Sequence, residues 1–349
     1  MPPTITPFGY ISLSESVNKI ITPNTFVRDT LFSKRTITHA TKVIQVDVII
    51  GGRKLLPFVK RGDPGKVLDH VGKQTQLVEP PSIRAKKFFT PDDLLFNRAS
   101  GQSVYVIGGQ GGDAIARARM EKIGLEQRDV KMRQDRTEEF MSCEAISKGK
   151  FTYVATDLEF EIDFLMPGDN LPVLAAGRKW DAADTCKPIT DLAAWKKLVK
   201  KSCGMIPTRA IMTSDIWDLF LAAKQVQDYL NKWNIKIGEI NTDANVILMG
   251  AEKKARIDNV DFYVYDEYYN DGINTVSMIP TDKFVLVADA ADYRLNYGAV
   301  EDLEAGSVIG RYFAKDWLEK DPSGLWMLIE SHPLPTIHQP DSIVSATVK

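Results

Sequence analysis

The chain is poor in the residues that most often declare a chemistry. Three cysteines among 349 residues, Cys143, Cys186 and Cys203, lie too far apart for a zinc knuckle or a C-x-x-C pair. Their odd count argues against a disulfide framework, so reduced thiols, buried or half-buried, are expected. The four histidines, His39, His70, His332 and His338, show no H-x-x-x-H spacing, and the pair around "PLPTI" has no further ligands to make a metal site. Neither a G-x-S-x-G elbow nor a cysteine in a recognisable catalytic setting occurs. There is no basic excess: 44 Lys and Arg against 46 Asp and Glu leave a net charge of -2, which excludes a chain that grips nucleic acid over its whole surface. Also missing are an apolar run of about 18 residues and a basic stretch leading into one at the N-terminus. Neither a membrane span nor a signal peptide is therefore expected, which fits folding in a cytoplasm. No internal repeat or low-complexity tract is found.

What is present is a large core-forming fraction, 44% hydrophobic, enough for one elaborate domain or about two ordinary ones. The most suggestive stretch is "SVYVIGGQGGDAIARARM", residues 103–120, in which Gly109, Gly111 and Ala114 match a G-x-G-x-x-G/A dinucleotide turn. Its context fails the test. A dinucleotide unit needs a short crossover helix and a second strand ending in an acid, all within about 30 residues. Here the helix alone consumes that length, and no Gly-Lys-Ser/Thr follows to make a P-loop. A glycine loop before a capped helix explains the stretch, and no cofactor or catalytic residue is assigned.

Residues 1–40 hold scattered apolar side chains among prolines, without sustained period, and read as an extended N-terminal arm. Residues 41–100 read as a long two-stranded excursion, "KVIQVDVII" outward and "IRAKKFF" returning, too sparse in apolar residues for a core of its own. Another subunit is its expected cover. From Asp113 to Ser147 there is no proline, and Ala116, Met120, Ile123, Val130, Thr137 and Met141 recur at helical steps. Asp113 suits the N-cap and Gly149 a left-handed stop. At 1.5 Å per residue that helix makes a rod on the order of 50 Å. A mixed-charge coat that includes Asp129, Arg133, Asp135 and Glu138 surrounds its narrow apolar seam. Gly124 inside it is a candidate bend. A strand follows with Leu158, Phe160, Ile162 and Phe164 on one face. After it come the helix "DLAAWKKLVKKSC", the strand "TRAIMTS", a helix "SDIWDLFLAAKQVQDYLNKW" capped by Ser214, and then mainly strands.

Two charged sets bear on partners. Asp157, Glu159, Glu161 and Asp163 alternate on one strand face, where a solvated or subunit-facing surface explains them more cheaply than paired catalytic carboxylates or a cation site. Four like charges in a row favour a basic partner surface. Arg53, Lys54, Lys60, Arg61 and Lys66, with Asp63 among them, sit in the excursion, followed by Arg84, Lys86 and Lys87. They are either a solvated tip or a surface for acidic neighbours such as that row.

The order of parts resembles the lambda E-type major capsid proteins of tailed phages. It is carried by "FVRDTLF", "LLPFVKRGDPGKVLDHVG", "PPSIRAKKFFTPDDLL", "FMSCEAISKGKFTY", "FEIDF", "SDIWDLFLAAKQV" and "GRYFAKDWLEKDPSGLWMLIESHPLPTI", in the family's order over most of the chain. The resemblance implies an α+β fold of the Johnson, or Hong Kong phage capsid-like, type. Its parts would be an N-terminal arm (1–40), an E-loop (41–100, roughly Lys42 to Phe89), a peripheral P domain (101–203) with a spine helix (113–147), an axial A domain (204–300) and a C-terminal return to the P domain (301–349). It further implies a homo-oligomer of hexamers and pentamers forming an icosahedral shell around double-stranded DNA, without sequence-specific binding, assembled in the host bacterial cytoplasm and resident in the virion. A portal, a decoration protein and a separate scaffolding protein are expected partners, the last because no extra helical domain precedes the arm. "GGQGGDAIA" departs from the arginine-rich helix start of the lambda protein. An encapsulin-like compartment shares the fold and is the alternative; an NAD-dependent oxidoreductase is the distant one.

Overall fold

A computed structural model describes residues 9–20, 24–49, 73–91, 93, 112–155, 158–233 and 250–349. Its central element is the helix Gly112–Lys148 (α2) of 37 residues, unbroken through Gly124, where a Cβ would meet nothing within 4 Å. Gly149 ends it at φ +69°. Its N–H donates to Ala145 O at 3.0 Å, and a side chain there would meet Met166 Cβ at 2.6 Å, so only glycine fits both backbone and space. Before α2 in the chain, the helix Tyr10–Lys19 (α1) corrects the extended arm expected from the sequence. Leu13 and Val17, four residues apart, are its buried contacts. A ten-residue helix is marginal in water, and this one is held by docking, a partnership that local periodicity does not display.

Five strands form the principal sheet, in the order Ile343–Thr347, Lys283–Val287, Arg209–Met212, Val260–Tyr265, Ala251–Ile257. All neighbours are antiparallel except Arg209–Met212 with Val260–Tyr265. Strand alternation divides two cores cleanly. Ala210, Met212, Phe262, Phe284, Leu286 and Val344 face one side. Packed there are the helices Pro188–Ser202 (α3), Ser214–Ala222 (α4) and Lys224–Trp233 (α5). Trp180 and Phe284 at 5.1 Å and Phe220 and Phe262 at 5.2 Å make an aromatic nucleus on that side. Ile211, Tyr263, Tyr265, Val285 and Val287 face the other side, against the C-terminal end of α2.

The sequence reads α4 and α5 as one helix. The structure breaks it at Ala223, whose extended ψ of 125° ends α4, and Lys224 N–H turns away to Ala183 O at 3.0 Å. Ser214 is the first helical residue rather than the cap; Asp266 Oδ1 accepts its N–H at 2.9 Å, a distant carboxylate doing what a local side chain was expected to do.

Strands Ile44–Ile49 and Lys73–Val78 pair antiparallel as the base of the excursion. Ile44, Val46 and Val48 are buried in the same core as α2, and Ile49 N–H donates to His338 O at 2.9 Å. The cover expected from another subunit is thus, at the base, supplied by the chain itself; the tip lies outside the described residues. The return strand Ile83–Phe89 joins Ser323–Ser331 and Phe313–Lys320 in a three-stranded sheet. That sheet's inner face, with Phe89, Leu325, Met327 and Ile329, packs on Ile123 and Val130 of α2 and on Leu13 and Val17 of α1. Among the described residues no helix is long and apolar enough to cross a membrane.

Candidate functional site

Arg28, in the π-helical turn Arg28–Phe32, reaches into the middle of α2. Its Nη1 donates to Asp135 Oδ1 at 2.7 Å and Glu138 Oε2 at 3.1 Å, and its Nε to Asp29 at 2.8 Å. The backbone N–H groups of Val27 and Arg28 both donate to the Glu139 carboxylate at 2.8 Å. Tyr312 Oη lies 2.6 Å from Asp135 and 2.8 Å from Glu138, which share its single proton, and Tyr297 OH donates to Glu138 at 3.0 Å. Lys131 pairs with Asp135 one turn away and lies 4.0 Å from the Tyr312 ring centre. Lys131, Asp135, Glu138 and Glu139 are all buried, so part of the mixed-charge coat of α2 is packed inside the subunit.

Charges placed this deep reshape one another. Burial lifts the Glu138 carboxyl against the pull of Arg28. Burial also lowers the Lys131 ammonium against the pull of Asp135. Glu139, lifted by burial and held down by the two N–H donors, is raised to about 7. Four acidic groups, Asp29, Asp135, Glu138 and Glu139, thus face the two cations Arg28 and Lys131, and burial of the Glu139 carboxyl favours its neutral form. The cluster ties the arm segment 24–35, α2 and the C-terminal strands at one point.

The surface sites are distributed differently. Arg53, Lys54, Lys60, Arg61, Asp63 and Lys66 lie outside the described residues, as do Asp157 and the glycine turn at 109–111. Glu159 sits on the strand Leu158–Asp163, paired with Lys150–Ala155. Glu161 is exposed, 3.6 Å from Lys150, and Asp163 accepts the Leu165 N–H at 2.7 Å. Glu161 and Asp163 line an open cleft of about 1140 Å³ together with Glu79 at the foot of the excursion, Glu301, Glu330 and Lys42. His332, also on the cleft, has Nδ1 2.9 Å from Ala299 O and Nε2 3.2 Å from Glu330. The Glu330 hydrogen bond raises its pKa. The cleft is therefore acidic and suits a basic surface. His332 and His338 do not converge: His338 Nδ1 meets Asp47 O at 2.6 Å in the hairpin base. No group of three or more metal-ligating side chains occurs among the described residues. Cys143 and Cys186 are buried and Cys203 half-buried, all as free thiols.

Sequence reasoning missed the Arg28 cluster because its partners are 107 and 110 positions apart. The one available signal was the density of acids on consecutive turns of α2.

Comparison with known proteins brings these features under one heading. The family described as phage major capsid protein E matches residues 11–348. A P21 prophage-derived major head protein of Escherichia coli O6:H1 (strain CFT073) and the major capsid protein of Enterobacteria phage P21 are each 26% identical over 328 residues. In both cases the match covers 91% of this chain and 93% of the relative. Among solved structures, a protein assigned as the capsid protein of an E. coli CFT073 prophage superposes with a TM-score of 0.74 at 17% identity, covering 99% of this chain and 100% of that one. A phage-related protein of Bordetella bronchiseptica RB50 gives 0.52 at 12% identity, covering 98% and 97%.

Proposed function

The chain belongs to the phage major capsid protein E family, and from that premise we propose how this major capsid protein of a tailed phage builds its shell. It has the α+β capsid fold expected from the sequence, and its place is the virion. In our reading the subunits gather into hexamers and pentamers that close an icosahedral wall around double-stranded DNA, within the host cytoplasm and with scaffolding, portal and decoration proteins as partners. The near-neutral net charge of -2 suits a wall that contains a polyanion without gripping it. Residues 204–300 act as the axial domain, and the elements around α2 as the peripheral one.

One observation carries the mode of contact: the acidic cleft formed by Glu79, Glu161, Asp163, Glu301 and Glu330. The basic E-loop tip of a neighbouring copy, with Arg53, Lys54, Lys60, Arg61 and Lys66, is its complement, and charge of opposite sign orients the encounter and fixes register. Contacts of this head-to-tail kind close by rotation within a capsomer. Reversing the charge of Arg53, Lys54, Lys60 and Arg61 together is expected to abolish particles in sedimentation while circular dichroism of the subunit is unchanged. Normal particle yield from that variant would refute the pairing.

A further inference from the structure

The outer face of the three-stranded sheet carries a second, smaller groove of about 500 Å³, lined by Arg84, Lys86, Lys315, Trp317 and Leu328. Strand register puts these side chains together: Lys315, Leu328 and Lys86 are aligned across the three strands, and Trp317, Trp326 and Phe88 form the next row. The floor is apolar, Leu328 being buried. The rim is cationic. Arg84 is paired with Glu330 at 3.3 Å and Lys315 with Asp302. Lys86 has no carboxylate within ion-pair reach among the described residues; its ammonium lies 3.8 Å from the Trp326 ring centre and 5.0 Å from that of Trp317. Such a groove accepts an apolar side chain flanked by acids.

The same chain presents that shape beside it. The hairpin Val300–Asp302 to Gly306–Val308 ends in "DLEAG", with Leu303 at 106% exposure. Asp302 Oδ1 accepts the N–H groups of Glu304 at 2.9 Å and Ala305 at 3.3 Å, and Gly306 takes φ +74°. The tip is thus a preorganised turn, which reduces the ordering cost of any contact it makes. Its base is anchored to the groove's own rim through Asp302 and Lys315. Leu303 therefore cannot fold back into its own groove without breaking that ion pair and the turn above it.

We propose that the acidic hairpin tip of one copy seats Leu303 in the groove between Lys86 and Trp317 of a second copy, with Glu304 against Lys86. The contact rests on the shell reading above and adds to it a second interface, separate from the E-loop cleft. Knob and groove are different surfaces, so a contact made once between two copies is head-to-tail and gives a ring where its rotation closes.

Shells built from an equal mixture of Leu303→Cys and Lys86→Cys chains are expected to give a covalent dimer on mild oxidation, lost on reduction, while shells of either variant alone give none. Shells without that dimer overturn the inference and leave the shell reading standing. Failure of the unsubstituted chain to form shells under any condition overturns both. A charge exchange provides the second readout. Glu304→Lys and Lys86→Glu are each expected to raise the protein concentration needed for assembly about tenfold, the equivalent of about 1.4 kcal/mol. Combined in one chain, they are expected to restore it, with the subunit's circular dichroism unchanged throughout. Single exchanges without effect, or a double variant no better than the poorer single, overturn the contact.

Discussion

Arg28 shows how much one side chain can organise. It is the counter-ion for Asp135 and Glu138, and its backbone N–H helps hold Glu139. Removing one partner of a buried pair leaves an uncompensated charge in low dielectric, which costs about 3–5 kcal/mol. Arg28→Met is therefore expected to destabilise the unassembled subunit by that amount in urea titrations, although the side chain keeps its apolar volume. Glu139 gives a pH dependence of definite sign. Its folded-state pKa, raised by burial to about 7, exceeds the ordinary carboxylate value, so the folded state binds the extra proton. Its contribution is fully present below about pH 4.3 and is lost as pH rises through 7, on the order of 3 kcal/mol in all. Arg28, Cys143 and Tyr265, the charged and titratable groups facing it, belong to the same cluster. Denaturation of the subunit at pH 5 and pH 7.5 checks this: Glu139→Gln is expected to flatten the decline, and an unchanged slope would contradict it.

At the scale of elements, the long helix was legible because no proline interrupts it and its stop is chemically specific; of the expected seam, Ile123, Val130 and Met141 are buried while Met120 and Thr137 are exposed. Asp113 to Ser147 was expected, and Gly112–Lys148 is found. The strand alternation of Ile162 and Phe164 inward against Glu161 and Asp163 outward was legible for the same reason, a strict period of two. What escaped was whatever depends on distant partners. α1 carries only two buried apolar residues. The break at Ala223 follows from a bond to Ala183, and the charges of α2 are ordinary surface residues by local pattern. Their burial depends on Arg28 and on Tyr297 and Tyr312, more than 150 positions away. Gly124 provides an element-scale test. With nothing within 4 Å of its missing Cβ, Gly124→Ala is expected to stabilise the helix by roughly 0.5–1 kcal/mol. If α2 bends there to fit unequal positions in the shell, the same variant raises the subunit Tm and lowers the yield of closed particles. Unchanged particle yield alongside a higher Tm would remove the bend.

For the whole molecule, the division of labour follows from the two faces of the five-stranded sheet. One face closes a core with α3, α4 and α5; the other packs on α2, the arm and the base of the excursion. That base is covered by its own chain, so the strands Ile44–Ile49 and Lys73–Val78 give the excursion a root packed into the body. On the proposed contacts, cleft to tip and knob to groove, each copy would both give and receive the same contact, which assembles into a ring where the rotation closes. The most direct test is electron microscopy of particles recovered from bacteria expressing this chain, alone and with a co-expressed scaffolding protein. Closed shells with five- and six-fold capsomers are expected. A product consisting only of monomers or dimers would contradict the account.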